Sequence, residues 1–121
     1  MYKLISIVKR KPGITKQEFK EYYENHHKKL GEQYLPPFCK KYLRRYLEAI
    51  PSPMKPGQAP GPDIDCMVEF WFESVADYRA FEASVSSPER IKLITADEER
   101  FVDRANTFRY TVEDYLSFGP E

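Results

Sequence analysis

His26 and His27 stand side by side and are the only histidines in the chain. Imidazole is the one side chain whose ordinary pKa lies near neutrality. These two residues are therefore the first candidates for general acid/base chemistry. Neighbours on a helix point about 100° apart, so the pair does not converge on one atom. Tyr22 lies four residues before His26, and Tyr23 four before His27, which gives two separate histidine–tyrosine pairs. Each histidine also has a purely structural reading, as a core or capping residue near a helix C-terminus, where the dipole favours its charged form. Asp97, first in the run Asp97-Glu98-Glu99, is the candidate third group. It either orients a histidine, as the carboxylate of a catalytic triad does, or stays an exposed helix residue.

A second group of residues suits a flat, anionic ligand. The forked donors of Arg44 match a carboxylate, and Tyr46 and Trp71 offer faces for ring stacking. Tyr22, Tyr23 and Phe101 add further rings. Glu69 is either a substrate contact or the cross-strand partner of Arg44. No Gly-rich phosphate loop, nucleophile elbow, metal-ligand spacing or cofactor motif accompanies them. Adjacent histidines do not supply the i,i+4 pair that zinc sites use. The expectation is chemistry with no cofactor and no metal.

Residues 15–30 must carry the histidines, and they read as an amphipathic helix. Thr15 and Glu18 form a capping box. Phe19, Tyr22, Tyr23, His26 and Leu30 make one stripe, with Lys16, Lys20, Glu24 and Lys28 on the other side. Gly31 is placed to end the helix as its C′ residue. Before the helix, residues 2–9 are β-branched and stop at Lys11-Pro12-Gly13, the mark of a strand and turn. Residues 40–50 alternate: Leu43, Leu47 and Ala49 point one way, and Tyr42, Arg44, Tyr46 and Glu48 the other.

Residues 51–63 hold five prolines and two glycines, which rules out regular structure and suggests a lid or a loose loop. Residues 64–73 form the clearest strand. Cys66, Val68, Phe70 and Phe72 make its apolar face, with Asp65, Met67, Glu69 and Trp71 opposite. Ser74 caps a helix whose buried stripe is Val75, Tyr78, Phe81 and Val85. Ser87-Pro88 starts another helical segment, which Thr95 to Glu98 marks for a second break. Residues 106–113 read as the last strand. The order β-α-β-β-α-β is the ferredoxin-like α+β plan. Its open sheet face is expected to carry Tyr42, Arg44, Tyr46, Glu69 and Trp71, a patch of the kind that marks an interaction site.

A chain of 121 residues is one domain. Nineteen basic and nineteen acidic side chains cancel, which argues against a nucleic-acid partner. No apolar run approaches the ~20 residues that cross a membrane, and no signal peptide is visible. Cys39 and Cys66 make no metal spacing and read as free thiols. The expectation is a soluble cytoplasmic protein. Nine tyrosines and eight phenylalanines suggest a ring-lined cavity or interface.

The joint pattern Arg10-Lys11-Pro12-Gly13, Phe19, Tyr22 to His27, Glu69-Phe70-Trp71-Phe72 and Asp97 to Phe101 with Asp103 resembles the EthD family. The likeness spans nearly all of the chain outside residues 51–63. It implies a homodimeric α+β barrel, two sheets packed face to face, with a pocket between sheet and helices in each subunit. His27 matches the single histidine that ends the family's tyrosine-rich helix. His26 fills a place more often apolar, and Lys28-Lys29-Leu30 lacks the proline usual there. Members that this chain resembles occur in fungal aromatic polyketide pathways, where some are taken to decarboxylate anthrone-type acids. Related barrels catalyse cyclisation or isomerisation, and others bind heme. The resemblance thus implies a cofactor-independent lyase for an aromatic or polyketide carboxylic acid, with His27 as acid/base. A cyclase, dehydratase or isomerase, a hydrophobic-ligand-binding dimer and a heme-binding dimer are the alternatives.

Overall fold

Strand β1 (Tyr2–Val8) sits inside the sheet and pairs antiparallel on both sides. One neighbour is β3 (Cys66–Phe72), with Leu4 opposite Phe70 and Ser6 opposite Val68. The other is β4 (Phe108–Thr111), with Ser6 opposite Arg109. Strand β2 (Cys39–Tyr46) adds to the far side of β3, so the strand order is β2-β3-β1-β4. The structure is a computed structural model that describes residues 1–120. It has the ferredoxin-like α+β fold.

Helix α1 (Lys16–Tyr22) opens on a complete capping box: Thr15 Oγ1 accepts the Glu18 N–H at 3.0 Å, and Glu18 Oε1 accepts the Thr15 N–H at 3.0 Å. The chain then passes through one π turn, Tyr23–His27, before α2 (Lys28–Tyr34). The Lys28 N–H donates to the Tyr23 carbonyl, five residues back. The helix does not end at Gly31. It continues three residues further, and Gly31 instead permits a close approach: a Cβ there would lie 2.6 Å from Cε2 of Tyr42. Pro36 and Pro37 follow and stop the helix.

Helix α3 (Val75–Val85) is capped by Ser74, and α4 (Pro88–Glu98) by Ser87, whose Oγ accepts the Arg90 N–H at 3.2 Å. The break between them falls at Ser86-Ser87. Thr95 causes none, because its carbonyl accepts the Glu99 N–H at 3.0 Å and the helix carries on to Glu98. Val75 and Ile91 are exposed, whereas Tyr78, Phe81, Val85 and Ile94 face inward. The last strand is shorter than its sequence suggests, since Arg104–Asn106 form a 3₁₀ turn before it.

The facing of β2 is the main departure from the sequence pattern. Tyr42 lies opposite Phe70, Arg44 opposite Val68 and Tyr46 opposite Cys66, so all three sit on the helix side of the sheet. Leu43 lies opposite Glu69 and Lys41 opposite Trp71, on the open side. The expected patch thus mixed two faces. The apolar-inward rule fails here because the polar ends of Tyr42, Arg44 and Tyr46 find partners on the first helix. The open face carries Glu69 and Trp71 with Lys3, Ile5, Lys41, Leu43, Arg45 and Met67. Lys3 and Lys41 sandwich the Trp71 ring at 3.9 and 4.2 Å. Arg45, not Arg44, pairs with Glu69.

Asp65 also leaves its expected open face. It is 3% exposed and accepts the Arg10 N–H at 2.8 Å, the Arg10 guanidinium at 2.7 Å and the Lys16 ammonium at 3.2 Å. Burial works against its charge, but these donors outweigh it and hold its pKa below the usual carboxylate value. Asp63 joins the same cations and ties down one end of the Pro-rich stretch. Residues 51–63 are exposed and line no part of the cavity described below, so they form no lid over it.

The core comes in two clusters. One gathers Val8, Phe19, Tyr23, Cys66, Val68, Phe101 and Val102, and the other Leu4, Leu35 and Phe72. Residues of both line a single cavity between the helices and the sheet. Among the described residues, no helix is long and apolar enough to cross a membrane. Both cysteines are free thiols.

Candidate functional site

The π turn decides which histidine faces inward. A π turn spends one more residue per hydrogen-bonded ring than an α turn, so each residue advances through a smaller angle. Counting from buried Tyr23, His27 stays nearly above it, while His26 lags toward solvent. His27 lines the cavity and packs on Phe101 with ring centroids 5.0 Å apart. His26 is exposed and lies on the Tyr22 ring, 4.8 Å away, in a shallower outer depression with Arg100 and Asn25.

His27 Nδ1 is 2.8 Å from Oδ2 of Asp97, and both side chains are mostly buried. The other oxygen, Oδ1, accepts the Tyr22 hydroxyl at 2.5 Å. Asp97 is in the last turn of α4, Tyr22 immediately precedes the π turn and His27 ends it, so helix–helix packing assembles the cluster from residues about 70 apart. Burial, reinforced by the Asp97 hydrogen bond, pushes the Tyr22 phenol up to about 12. Tyr22 is then a fixed donor near neutral pH, and it anchors the carboxylate. With Nδ1 protonated toward Asp97, Nε2 is the nitrogen left for a ligand.

The cavity encloses about 760 Å³, within the ordinary range for small-molecule sites. Most of its wall is apolar or aromatic, including Leu4, Leu35, Val68, Phe70, Phe72 and Phe101. Tyr23 and Tyr42 also line the cavity, and their hydroxyls lie 2.9 Å apart. Burial raises both phenols, Tyr42 to about 12, so both keep their protons near neutral pH. Two hydroxyl protons serve one hydrogen bond between them, which leaves one free for a ligand oxygen.

Arg44 does not reach into this space. Its Nε and Nη2 donate to the two Glu24 oxygens, each at 2.8 Å, and Tyr46 donates to the same carboxylate. Glu24 thus faces the sheet, not solvent as its place among the helix lysines suggested. The Arg44 hydrogen bonds, opposed by burial, bring its carboxyl down to about 2. The Glu24 bonds in turn raise Arg44 above its already high value. Arg44 and Tyr46 therefore belong to a closed ion-pair network behind the cavity wall. Glu69 and Trp71 are on the far side of the sheet. Of the ten candidate residues, the structure brings Tyr23, His27 and Phe101 to the cavity, with Tyr22 and Asp97 in direct support of His27.

Tyr42 is a cavity residue that the sequence pattern did not single out as a site, although it shares a face with Arg44 and Tyr46. Arg109 is another, and alternation gave no signal for it, because the apolar Phe108 and Tyr110 on its strand lie on the open face instead. Among the described residues, no group of three or more His, Cys, Asp or Glu could hold a metal ion.

A family model described as the EthD domain matches residues 11–105. No curated protein sequence matches the chain. Among solved structures, an ethyl tert-butyl ether d (EthD) family protein from Bacillus halodurans is 20% identical. The match covers 95% of this chain and 99% of that one, with a TM-score of 0.64. A dimeric ferredoxin-like protein of unknown function from Thermobifida fusca is 14% identical over 92% of this chain and 88% of that one, with a TM-score of 0.58. A dimeric protein of unknown function and ferredoxin-like fold from Bacteroides fragilis is 13% identical over 93% and 95%, with a TM-score of 0.57. At these identities the likeness is one of fold.

Proposed function

The chain belongs to the EthD domain family, and from that premise we propose that it is a cofactor-independent lyase that decarboxylates an aromatic or polyketide-type carboxylic acid. The observation that carries the reading is the Tyr22–Asp97–His27 chain of hydrogen bonds ending at the cavity wall. It supplies a positioned acid/base beside an apolar, ring-lined space, which is what protonation of an aromatic carbon requires.

In this mechanism the ring lies against Phe70, Phe72 and Phe101. Nε2–H of the imidazolium gives its proton to the carbon that bears the carboxylate. The bond from that carbon to CO₂ then breaks, and its electron pair returns to the ring. The imidazole regains a proton from water. Asp97 offsets the imidazolium charge while the proton is held. A hydroxyl of the Tyr23–Tyr42 pair donates to a hydroxyl or keto oxygen of the substrate and holds the ring in place for the proton transfer. Arg44 has no part in this step, since Glu24 occupies its fork.

The test is His27→Gln with an aromatic β-keto or hydroxy acid as substrate. Turnover should fall by ~10²–10⁴ with the melting temperature within a few degrees of wild type. Undiminished CO₂ release by this variant sinks the catalytic role, and tight ligand binding without turnover would then indicate a carrier. The same base and the same phenol donor also suit a cyclase, dehydratase or isomerase. Product mass separates these, as loss of CO₂, loss of water or no change.

The working unit in this proposal is a homodimer. The two dimeric relatives share the fold, and the open sheet face here carries apolar residues without cover. Phe108 and Tyr110 on β4 are 54% and 52% exposed. A second copy laid sheet to sheet would bury them.

A further inference from the structure

One cationic side chain that lines the cavity has no partner within the protein. Three side chains able to carry positive charge line it: His27, Arg104 and Arg109. His27 is held by Asp97. Arg104 donates to Glu98 at 3.1 Å and has Glu99 at 4.0 Å. Arg109 is exposed at the edge of the cavity and has no hydrogen-bond or ion-pair partner among the described residues, so its guanidinium is open to a ligand. It lies on edge strand β4 directly opposite buried Ser6, so its side chain leaves the sheet on the helix side. Leu4, Phe72, Phe81 and Tyr78 line the same cavity. Arg109 is close enough to Tyr78 to offset part of the rise that burial imposes on that phenol.

We infer that Arg109 recognises the carboxylate of the ligand, and that the cavity takes flat aromatic acids in preference to their neutral analogues. This rests on the reading of the cavity as the substrate site. Two features support it. Guanidinium presents a planar fork that matches a carboxylate, and here the fork is unused. The spacing also fits. Thr107 accepts the Lys9 N–H at 3.3 Å, at the end of β1 where Val8 and Phe101 share one core cluster and Phe101 carries His27. Arg109 is two residues farther along β4, a shift of about 7 Å. An aromatic acid bound at Arg109 can therefore lay its ring toward His27.

The contact serves recognition and not the bond-breaking step. The ion pair must be given up as the carboxylate leaves as CO₂, so it stabilises bound substrate without favouring the transition state. Its loss should raise KM and leave kcat unchanged or slightly higher. The decarboxylated product lacks the contact and is released.

The experiment measures binding of 2-naphthoate and 2-naphthamide by calorimetry to the full chain and to Arg109→Gln. The wild type should bind the acid about tenfold tighter than the amide. Arg109→Gln should abolish that preference while holding its affinity for the amide, which shows that the cavity is intact. A preference for the acid that survives in Arg109→Gln overturns the assignment, as does equal binding of both probes by the wild type. If neither probe binds the wild type, the cavity reading falls and takes this inference with it. If the preference disappears in Arg109→Gln while His27→Gln still turns over, Arg109 stands and the catalytic reading alone fails.

Discussion

Glu24 and Asp97 are both partly buried carboxylates, both accept a tyrosine hydroxyl, and both complete their bonding across the π turn region. They differ in the second partner. Glu24 is gripped by Arg44, a permanent cation that uses two donors. Asp97 is met by His27, an imidazole, a side chain able to act as acid or base. The first arrangement fixes a charge and a geometry. The second fixes a geometry and leaves a proton free to move. The lesson is that burial and bond count alone do not separate a structural carboxylate from a functional one. What separates them is whether the partner can change its protonation state, and which of the two clusters touches empty space.

That contrast can be broken most sharply at Asp97. Asp97→Asn keeps the shape but lets the amide favour the wrong imidazole tautomer. Turnover should fall about 10²-fold, close to 2.7 kcal/mol of transition-state stabilisation, with little change in unfolding midpoint. A variant as active as wild type would place Asp97 with Glu24, as architecture only.

Glu24→Gln should show the opposite profile. It leaves Arg44 without its charge partner and should cost about 2 kcal/mol in urea unfolding at pH 7, with kcat within about threefold of wild type. The pH dependence has a definite sign. The folded pKa of Glu24 is lowered from 4.5 to about 2, so its stabilisation is complete above 4.5 and is lost as pH falls toward 2. Asp65, also lowered, adds a loss of the same sign. The variant should therefore lose less stability than wild type on acidification through that window. Parallel acid titrations of the two proteins would remove Glu24 as the cause.

Gly31→Ala tests whether the two regions share a wall. The new Cβ meets the Tyr42 ring, which also lies 5.0 Å from the Arg44 guanidinium and hydrogen-bonds Tyr23. The expected cost is about 1–2 kcal/mol in thermal or urea unfolding. Combining it with Tyr42→Leu should cost less than the sum of the single changes. Strict additivity would mean that the ring moves aside freely.

The smallest effect is expected at His26. His26→Ala should change stability by under about 0.5 kcal/mol and turnover by less than twofold, as for other exposed residues. A tenfold loss of turnover would move the chemistry to the outer depression.

Much of the fold is legible because local and global signals agree. Thr15 with Glu18, Ser74, and Ser87 with Pro88 mark helix starts whose capping atoms are in contact. The apolar set Cys66, Val68, Phe70 and Phe72 gives β3 its inward face. Strand β2 misleads because alternation reports that two faces differ, not which one is inside. Leu43 is on its open side, and its inward tyrosines and arginine depend on Glu24 and Tyr23, distant in sequence. At the site, Asp97 could be named from its residue type, but its distance from His27 depends on how α4 packs. The π turn has no composition signal, so the choice between adjacent histidines was open until the backbone was seen. Gly31 resembles a helix stop, because only the position of the Tyr42 ring shows that its missing Cβ is used for contact instead.

The π turn acts as a phase slip in an otherwise continuous rod. Residues before it and after it keep separate angular registers, so the face that buries Phe19 and the face that presents Leu30, Gly31 and Tyr34 to the cavity are set independently. Removing one residue between 23 and 27 would close the π turn to an α turn, in which four residues at about 100° each turn through nearly the same angle as the present five, so α2 would keep its face while the histidine lost its place. Length, and not only composition, is therefore under constraint in this segment. Exchanges at residues 30–34 can reshape the far wall of the cavity without rotating the histidine, whereas a one-residue deletion cannot.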